Sequence, residues 1–130
     1  LKNENQPQMN GMDADEMKKM VDSDLGNGAV VVLCTFPDVE QARAIAAVLV
    51  ERRLAACVNL LPGVESIYRW EGKVERAGEV LAVIKTTRYP ELEAALEELH
   101  PYEVPEILAV PVAAGLAGYL KWLGESCGDG

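Results

Sequence analysis

The chain is short of the residues from which tight chemical sites are usually built. Its 130 residues include one histidine, His100, and three cysteines, Cys34, Cys57 and Cys127. No CxxC, HxH or HExxH occurs, so no preformed metal site is readable. An odd number of cysteines without a CxxC pair speaks against a disulfide scaffold and for a reducing, cytoplasmic setting. No apolar run approaches the ~20 residues needed to cross a bilayer. Positive charge is scarce as well: 12 Lys and Arg stand against 21 Asp and Glu, a net charge of −9. That balance argues against nucleic acid and against anionic membrane surfaces, both of which reward basic patches. Gly26, Gly28 and Gly63 fit neither GxGxxG nor a P-loop. No serine–histidine–acid set or pair of acids stands out. The one imaginable nucleophile–base pair is Cys34 with His100, so a non-enzymatic protein is expected.

What the chain does have is apolar residues, 49% of the total, enough for a real core in one domain of this length. Residues 1–28 differ from the rest. They are polar and set six acids against Lys2, Lys18 and Lys19. They lack the apolar core of a signal peptide and the arginine bias of a transit peptide. A flexible acidic tail is expected over residues 1–28, with at most a short helix from Met12 to Val21, and a folded domain over 29–127. The chain opens on Leu1, as a truncated or engineered N-terminus would.

Ala29 to Phe36 is β-branched and apolar at nearly every position and reads as a strand buried on both faces. Asp38 then caps a helix, with Gln41 three residues on, and Ala42, Ile45, Ala46 and Leu49 form its apolar stripe. A second strand runs from Ala55 to Leu61, is interrupted at Pro62–Gly63, and resumes from Val64 to Trp70. Glu71–Gly72–Lys73 is the tip of a hairpin. The return strand covers Val74 to about Thr87, with Gly78 expected as a bulge opposite the Pro–Gly break. Pro90 opens a second helix with Leu92, Leu96 and Leu99 inward. The segment LHPYEVPEI ends that helix and delivers a fourth strand, Ile107 to Val112, apolar on both faces. A closing helix spans Gly115 to Ser126, with Leu116, Tyr119, Leu120 and Leu123 on one side. Beside it, Ala113, Ala114, Leu116 and Ala117 make a small apolar patch expected to pack on the sheet.

The order βαββαβ plus a closing helix predicts an α+β, ferredoxin-like sandwich with a long hairpin between its second and third strands. Right-handed crossovers put both main helices on one sheet face. The other face is then bare, yet its residues are apolar, which predicts a homo-oligomer packed through sheet faces.

The runs VVLCTFPD, LAACVNLLPGVESIYRWEGK, VIKTT, LHPYEVPEI and YLKWL, in that order and spacing, resemble the CutA family of divalent-cation-tolerance proteins, also called CutA1. The resemblance covers about Ala29 to Cys127. It implies a ferredoxin-like subunit in a compact homotrimer similar to PII signalling proteins, and a role in tolerance of copper and other divalent metals.

Copper and zinc favour imidazole and thiolate ligands, so the metal candidates are His100, Cys34 and Cys57, with Glu103 and Glu106 near the histidine in sequence. Each also has a purely structural reading. Buried thiols are ordinary core residues, and a histidine at a helix C-terminus commonly bonds a free carbonyl. In the strand order 4-1-3-2 the first two strands are not neighbours, so Cys34 and Cys57 cannot pair across adjacent strands. Cys34 meets His100 only if the turn before the fourth strand folds toward the end of the first, or across a subunit boundary. Copper or another divalent cation is the expected cofactor, and it is not needed for folding. A second constellation is Tyr68, Trp70 and Lys85 on the hairpin with Tyr102 and Glu106 after the histidine. A trimer could gather these in intersubunit clefts for an anionic small molecule, as in a PII-like sensor. The structural alternative is that the aromatics fill an interface and Lys85 makes an ion pair, as in a trimeric scaffold.

Overall fold

The structure, a computed structural model, describes residues 28–128 of the chain. The tail expected over residues 1–28, with the short helix expected from Met12 to Val21, lies outside the described residues, Gly28 excepted. The elements are β1 (Val30–Phe36), α1 (Val39–Glu51), β2 (Cys57–Trp70), β3 (Lys73–Thr86), α2 (Tyr89–Leu99), β4 (Ile107–Pro111) and α3 (Ala117–Ser126). The strands form one antiparallel sheet in the order β2-β3-β1-β4, as expected of a ferredoxin-like chain.

Local chemistry sets the element ends. The Asp38 carboxylate accepts the Gln41 backbone N–H at 2.9 Å and the Gln41 side-chain amide at 2.6 Å, which closes the start of α1. Those bonds hold the Asp38 carboxyl below its usual range. At the other end, Leu54 N–H bonds Leu49 O at 2.9 Å and Arg53 N–H bonds Val50 O at 3.0 Å, the paired bonds of a Schellman turn. Arg53 takes the left-handed position (φ 60°) where glycine is usual, at a cost of about 1 kcal/mol. Its side chain accounts for the choice. The guanidinium donates to Gly128 O at 2.7 Å and Glu125 O at 2.6 Å, tying the end of α3 to the end of α1.

Trp70 pairs with Lys73, so the hairpin turn is Glu71–Gly72 alone, with positive φ at both (50° and 79°). That geometry matches the twist of the flanking strands, and Lys73 belongs to the strand rather than to the tip. The register shifts once, from Leu61↔Leu81 to Val64↔Glu79. Pro62 and Gly63 therefore stand opposite Val80, and the bulge is confined to β2. Gly78 is not part of it and pairs normally with Glu65. The irregularity settles where Pro62 has no N–H to lose and Gly63 accepts φ 81°.

Val30, Val32, Cys34 and Phe36 of β1, with Val80, Ala82 and Ile84 of β3, pack against Ala42, Ile45 and Leu49 of α1 and Leu92 and Leu96 of α2. Both helices thus cover the same sheet face. Thr86 is the fully buried polar residue of this layer. Its hydroxyl donates to Leu54 O at 2.7 Å and accepts Arg88 N–H at 2.8 Å, joining β3 to the chain on both sides. The opposite face keeps Val31 and Leu33 half-buried and leaves Leu108 57% and Val110 49% exposed. α3 turns Leu123 inward, against Ala29, Ala56 and Cys127, with Leu120 beside it. Leu116, Tyr119 and Trp122 are exposed. The patch of Ala113, Ala114, Leu116 and Ala117 is also exposed rather than packed on the sheet, because α3 begins only at Ala117 and presents a narrow stripe to the core.

Replacing Thr86 by valine keeps the shape and strands two backbone groups. Stability should fall by about 1–3 kcal/mol, read from urea unfolding at one fixed protein concentration. An unchanged midpoint would show that the two bonds do not bear on stability.

Candidate functional site

His100 is the residue around which the site is built. Its backbone N–H still bonds Leu96 O at 2.8 Å, and its own dihedrals are extended, as a following proline requires. The chain then turns back over the end of β1. The imidazole Nε2 lies 2.7 Å from the Thr35 carbonyl, and the Tyr102 N–H points to Nδ1 at 3.0 Å. Only a neutral ring carrying its proton on Nε2 satisfies both partners. The ring stacks on Phe36 with centroids 4.6 Å apart and planes 17° apart. Burial pushes its pKa below the ordinary 6.5, opposed by the Thr35 bond and the Glu79 charge. A free carbonyl does hold the histidine, but it belongs to β1 rather than to the helix.

Cys34 Sγ lies 4.0 Å from the same Thr35 carbonyl. The turn before β4 therefore folds toward the end of β1 and brings Cys34 and His100 to one oxygen. Burial, with the charges of Glu106 and Glu79, pushes the Cys34 thiol up to about 12, so it stays protonated at neutral pH, whereas metal ligation and nucleophilic attack need thiolate. Cys57 sits elsewhere, opposite Lys85, on the sheet face turned away from Cys34. Its Sγ is 4.0 Å from Lys85 Nζ. The Lys85 ammonium donates to the neutral Asn59 side-chain oxygen rather than to an acid.

Where the loop after His100 faces the hairpin, a cleft of about 740 Å³ opens. Tyr68, Trp70 and Tyr102 supply aromatic walls, and Thr35 and Ser66 lie between them. Glu79, Glu103 and Glu106 supply the charge, with no lysine or arginine in the lining. The Tyr102 hydroxyl donates to Glu79 Oε2 at 2.9 Å, and burial with that carboxylate pushes its pKa up to about 12. His100 and Tyr102 are in ring contact at 4.9 Å, so the clasp at Thr35 also sets the cleft wall.

Of the candidates read from sequence, Tyr68, Trp70, Tyr102, Glu103 and Glu106 come together here. Lys85 does not: it lies six positions along β3 from Glu79, about 20 Å at strand rise. Thr35, Ser66 and Glu79 escaped sequence reasoning. Glu79 had one signal, its place just beyond the Pro–Gly break on the partner strand. Among the described residues no group of three or more His, Cys, Asp and Glu could hold a metal ion.

The fold and cleft define a small α+β domain with an acidic, aromatic-walled cavity at the end of a sheet that is bare on one face. Known proteins with this sequence pattern place it further. Residues 30–126 match the family described as CutA1 divalent ion tolerance protein, and the chain belongs to that family. It is 54% identical over 100 residues to the divalent-cation tolerance protein CutA of Thermus thermophilus, a match covering 75% of this chain and 97% of that protein. The corresponding protein of Pectobacterium atrosepticum is 50% identical over 100 residues, covering 75% and 91%. Among solved structures, Cut A1 from Thermus thermophilus superposes with TM-score 0.75 at 52% identity, covering 77% of this chain and 99% of that one. CutA1 from Oryza sativa gives TM-score 0.75 at 39% identity, covering 78% and 95%.

The His100 clasp carries a pH dependence of definite sign. A pKa lowered in the folded chain means that the unfolded chain binds the proton first. Stability is therefore complete above about 6.5 and falls as pH drops toward the folded value. Urea unfolding between neutral pH and about pH 5 should show this loss in the wild type. His100→Asn, which removes the sole histidine, should start lower and slope less. Equal slopes in both proteins would rule the clasp out as its source.

Proposed function

We propose that this CutA-family chain works as a non-enzymatic homotrimer that binds divalent, copper-type cations weakly at its acidic clefts. The observation that carries the reading is the lining of the cleft: Glu79, Glu103 and Glu106 with no cationic side chain, in a member of a divalent-ion tolerance family. The three carboxylates do not converge on one coordination sphere, so a cation held by one chain would keep much of its water and bind loosely. For carboxylate and imidazole donors alike, the affinity order places copper above zinc. Glu103 faces the cleft directly. His100 and Cys34 stand behind its wall and would reach a cation only if the Thr35 clasp opened, while Cys57 lies on the bare sheet face. The protonated Cys34 speaks against a nucleophilic thiol and equally against direct ligation by its sulfur. Three unpaired cysteines favour a reducing compartment, in keeping with a cytoplasmic protein. An anionic ligand finds no positive partner in the lining.

Trimer formation through the bare face is supported by the exposure of Leu108 and Val110 on β4. Light scattering after size exclusion should give three times the 14.1 kDa subunit mass. Leu108→Glu with Val110→Glu should lower it, and a wild-type monomer at micromolar concentration would overturn the assembly. For the cation, calorimetry with copper and zinc should show weak binding that Glu103→Gln with Glu106→Gln reduces by about tenfold. Cys34→Ala should leave it unchanged, and His100→Ala should weaken it through the displaced loop. Wild-type affinity in the double glutamate variant would sink the carboxylate reading.

A further inference from the structure

We propose that Lys85 of one copy of this chain seats in the acidic cleft of the next, with Glu79 as its partner. The inference rests on the reading of the chain as a homotrimer packed through its bare face, and it names the contact that orients the subunits. Strand register places both residues on that face. Val31 pairs with Lys85, Leu33 with Val83 and Thr35 with Leu81, and Glu79 follows on β3 with the same parity. The stretch between them, Val31, Leu33, Leu81 and Val83, is aliphatic. Lys85 stands on one side of it and the cleft carboxylates on the other. The two ends are six positions apart along β3, about 20 Å at strand rise, so they cannot meet within one chain.

Lys85 lacks an opposite charge in its own chain. Among the described residues it makes no ion pair. Its ammonium donates to the neutral Asn59 oxygen and lies 4.0 Å from the Cys57 sulfur. The side chain is already half-buried, and a neighbour laid on the face would remove the rest of its water. An ammonium buried against neutral partners alone is destabilising, and a carboxylate offsets that penalty. The acidic end has the complementary lack. Glu79 is half-buried and accepts from the neutral Tyr102 hydroxyl, and no lysine or arginine lines the cleft. The walls suit a lysine as well as the charge does. Tyr68 and Trp70 are each 45% exposed in the single chain. The four-carbon stem of a lysine lies well along such rings while its ammonium meets aromatic faces and carboxylate. Because the two ends are different surfaces, the contact is head-to-tail. Each copy gives its Lys85 to one neighbour and receives another's, which closes as a ring in a trimer. With Glu79 taken, Glu103 and Glu106 at the rim remain for a metal ion.

Light scattering after size exclusion, repeated on dilution until trimers dissociate, tests the contact on the full chain. Lys85→Glu should raise the dissociation concentration by about a hundredfold or more, because it sets like charges together in the interface. Lys85→Glu combined with Glu79→Lys in the same chain exchanges the two ends and should bring that concentration back to within about tenfold of the wild type. Lys121→Glu makes the same change of charge on an exposed ion pair of α3 and should leave the trimer as it is. Circular dichroism confirms that dissociated variants stay folded. Carbodiimide coupling of the wild type needs no variant to fold. It joins an amine and a carboxylate already in contact as an amide, and should link Lys85 to Glu79 in the cross-linked bands of two and three subunits. Lys85→Glu trimers as stable as the wild type, or an exchanged variant no more stable than Lys85→Glu alone, would overturn this inference and leave the assembly standing. Coupling of Lys85 to a different carboxylate in a wild-type trimer would do the same. A wild-type chain that runs as a monomer would overturn the assembly reading and this contact with it.

Discussion

The sheet has two faces and the chain covers one. Every larger feature follows from that constraint. Two crossover helices give β1 and β3 a dry layer of Val, Ile, Leu, Cys and Phe on one side. On the other side β1 and β4 present Val31, Leu33, Leu108 and Val110, which no helix meets. A buried aliphatic side chain contributes about 1.5–3 kcal/mol, so a face of such residues left in water is a standing drive toward association. The hairpin extends the same problem in length. Its outer half, beyond the Pro62–Gly63 bulge, has no second layer of its own and exposes Ile67, Tyr68, Trp70 and Val74. An isolated two-stranded ribbon of this kind is marginal in water, which makes a neighbouring subunit the natural support.

The same one-sidedness explains where the cleft lies. α2 ends over the covered face, and the chain must cross the end of β1 to reach β4 on the sheet edge. His100 fixes that crossing by bonding Thr35 O and Tyr102 N–H with one ring while stacking on Phe36. With both nitrogens occupied, the imidazole acts as a bracket between strand, helix end and loop. The loop it holds carries Tyr102, Glu103 and Glu106 toward the hairpin. A bond made at the end of α2 in the core layer thereby decides the position of charges on the surface.

Much of this was legible before any coordinates. Unbroken apolar runs, Pro and Gly breaks and the 3.6-residue stripe mark the seven described elements, and the Asp38 cap and Pro90 mark helix starts to within a residue. The doubly apolar β1 and β4 foretold a bare face. Local irregularity was harder. Gly78 looked like the bulge because glycine in a strand often marks one, yet pairing register decides the matter, and register is a property of two strands. The site divides the same way. Tyr102, Glu103 and Glu106 follow the histidine in sequence and were found with it. Thr35 and Glu79 come from other strands, and only the crossing of the loop over β1 makes them neighbours. Lys85 lies outside the cleft of one chain, six positions along β3 from Glu79, and its expected place was a cleft between subunits.

Charge sharpens what the cavity can select. Glu79 accepts a hydrogen bond from Tyr102, which steadies its carboxylate against the wall, while Glu103 and Glu106 are exposed at the rim. The inner carboxylate is partly desolvated and gains more from a cation than the outer two, whose interactions are screened by water and salt. A ligand that reached only the rim would be held by weak, exposed pairs. A cation that reaches Glu79, in the cleft walled by Tyr68 and Trp70, gains the partly desolvated contact and the aromatic faces together. Depth therefore separates a true occupant from the diffuse cloud of counterions that any protein of charge −9 collects.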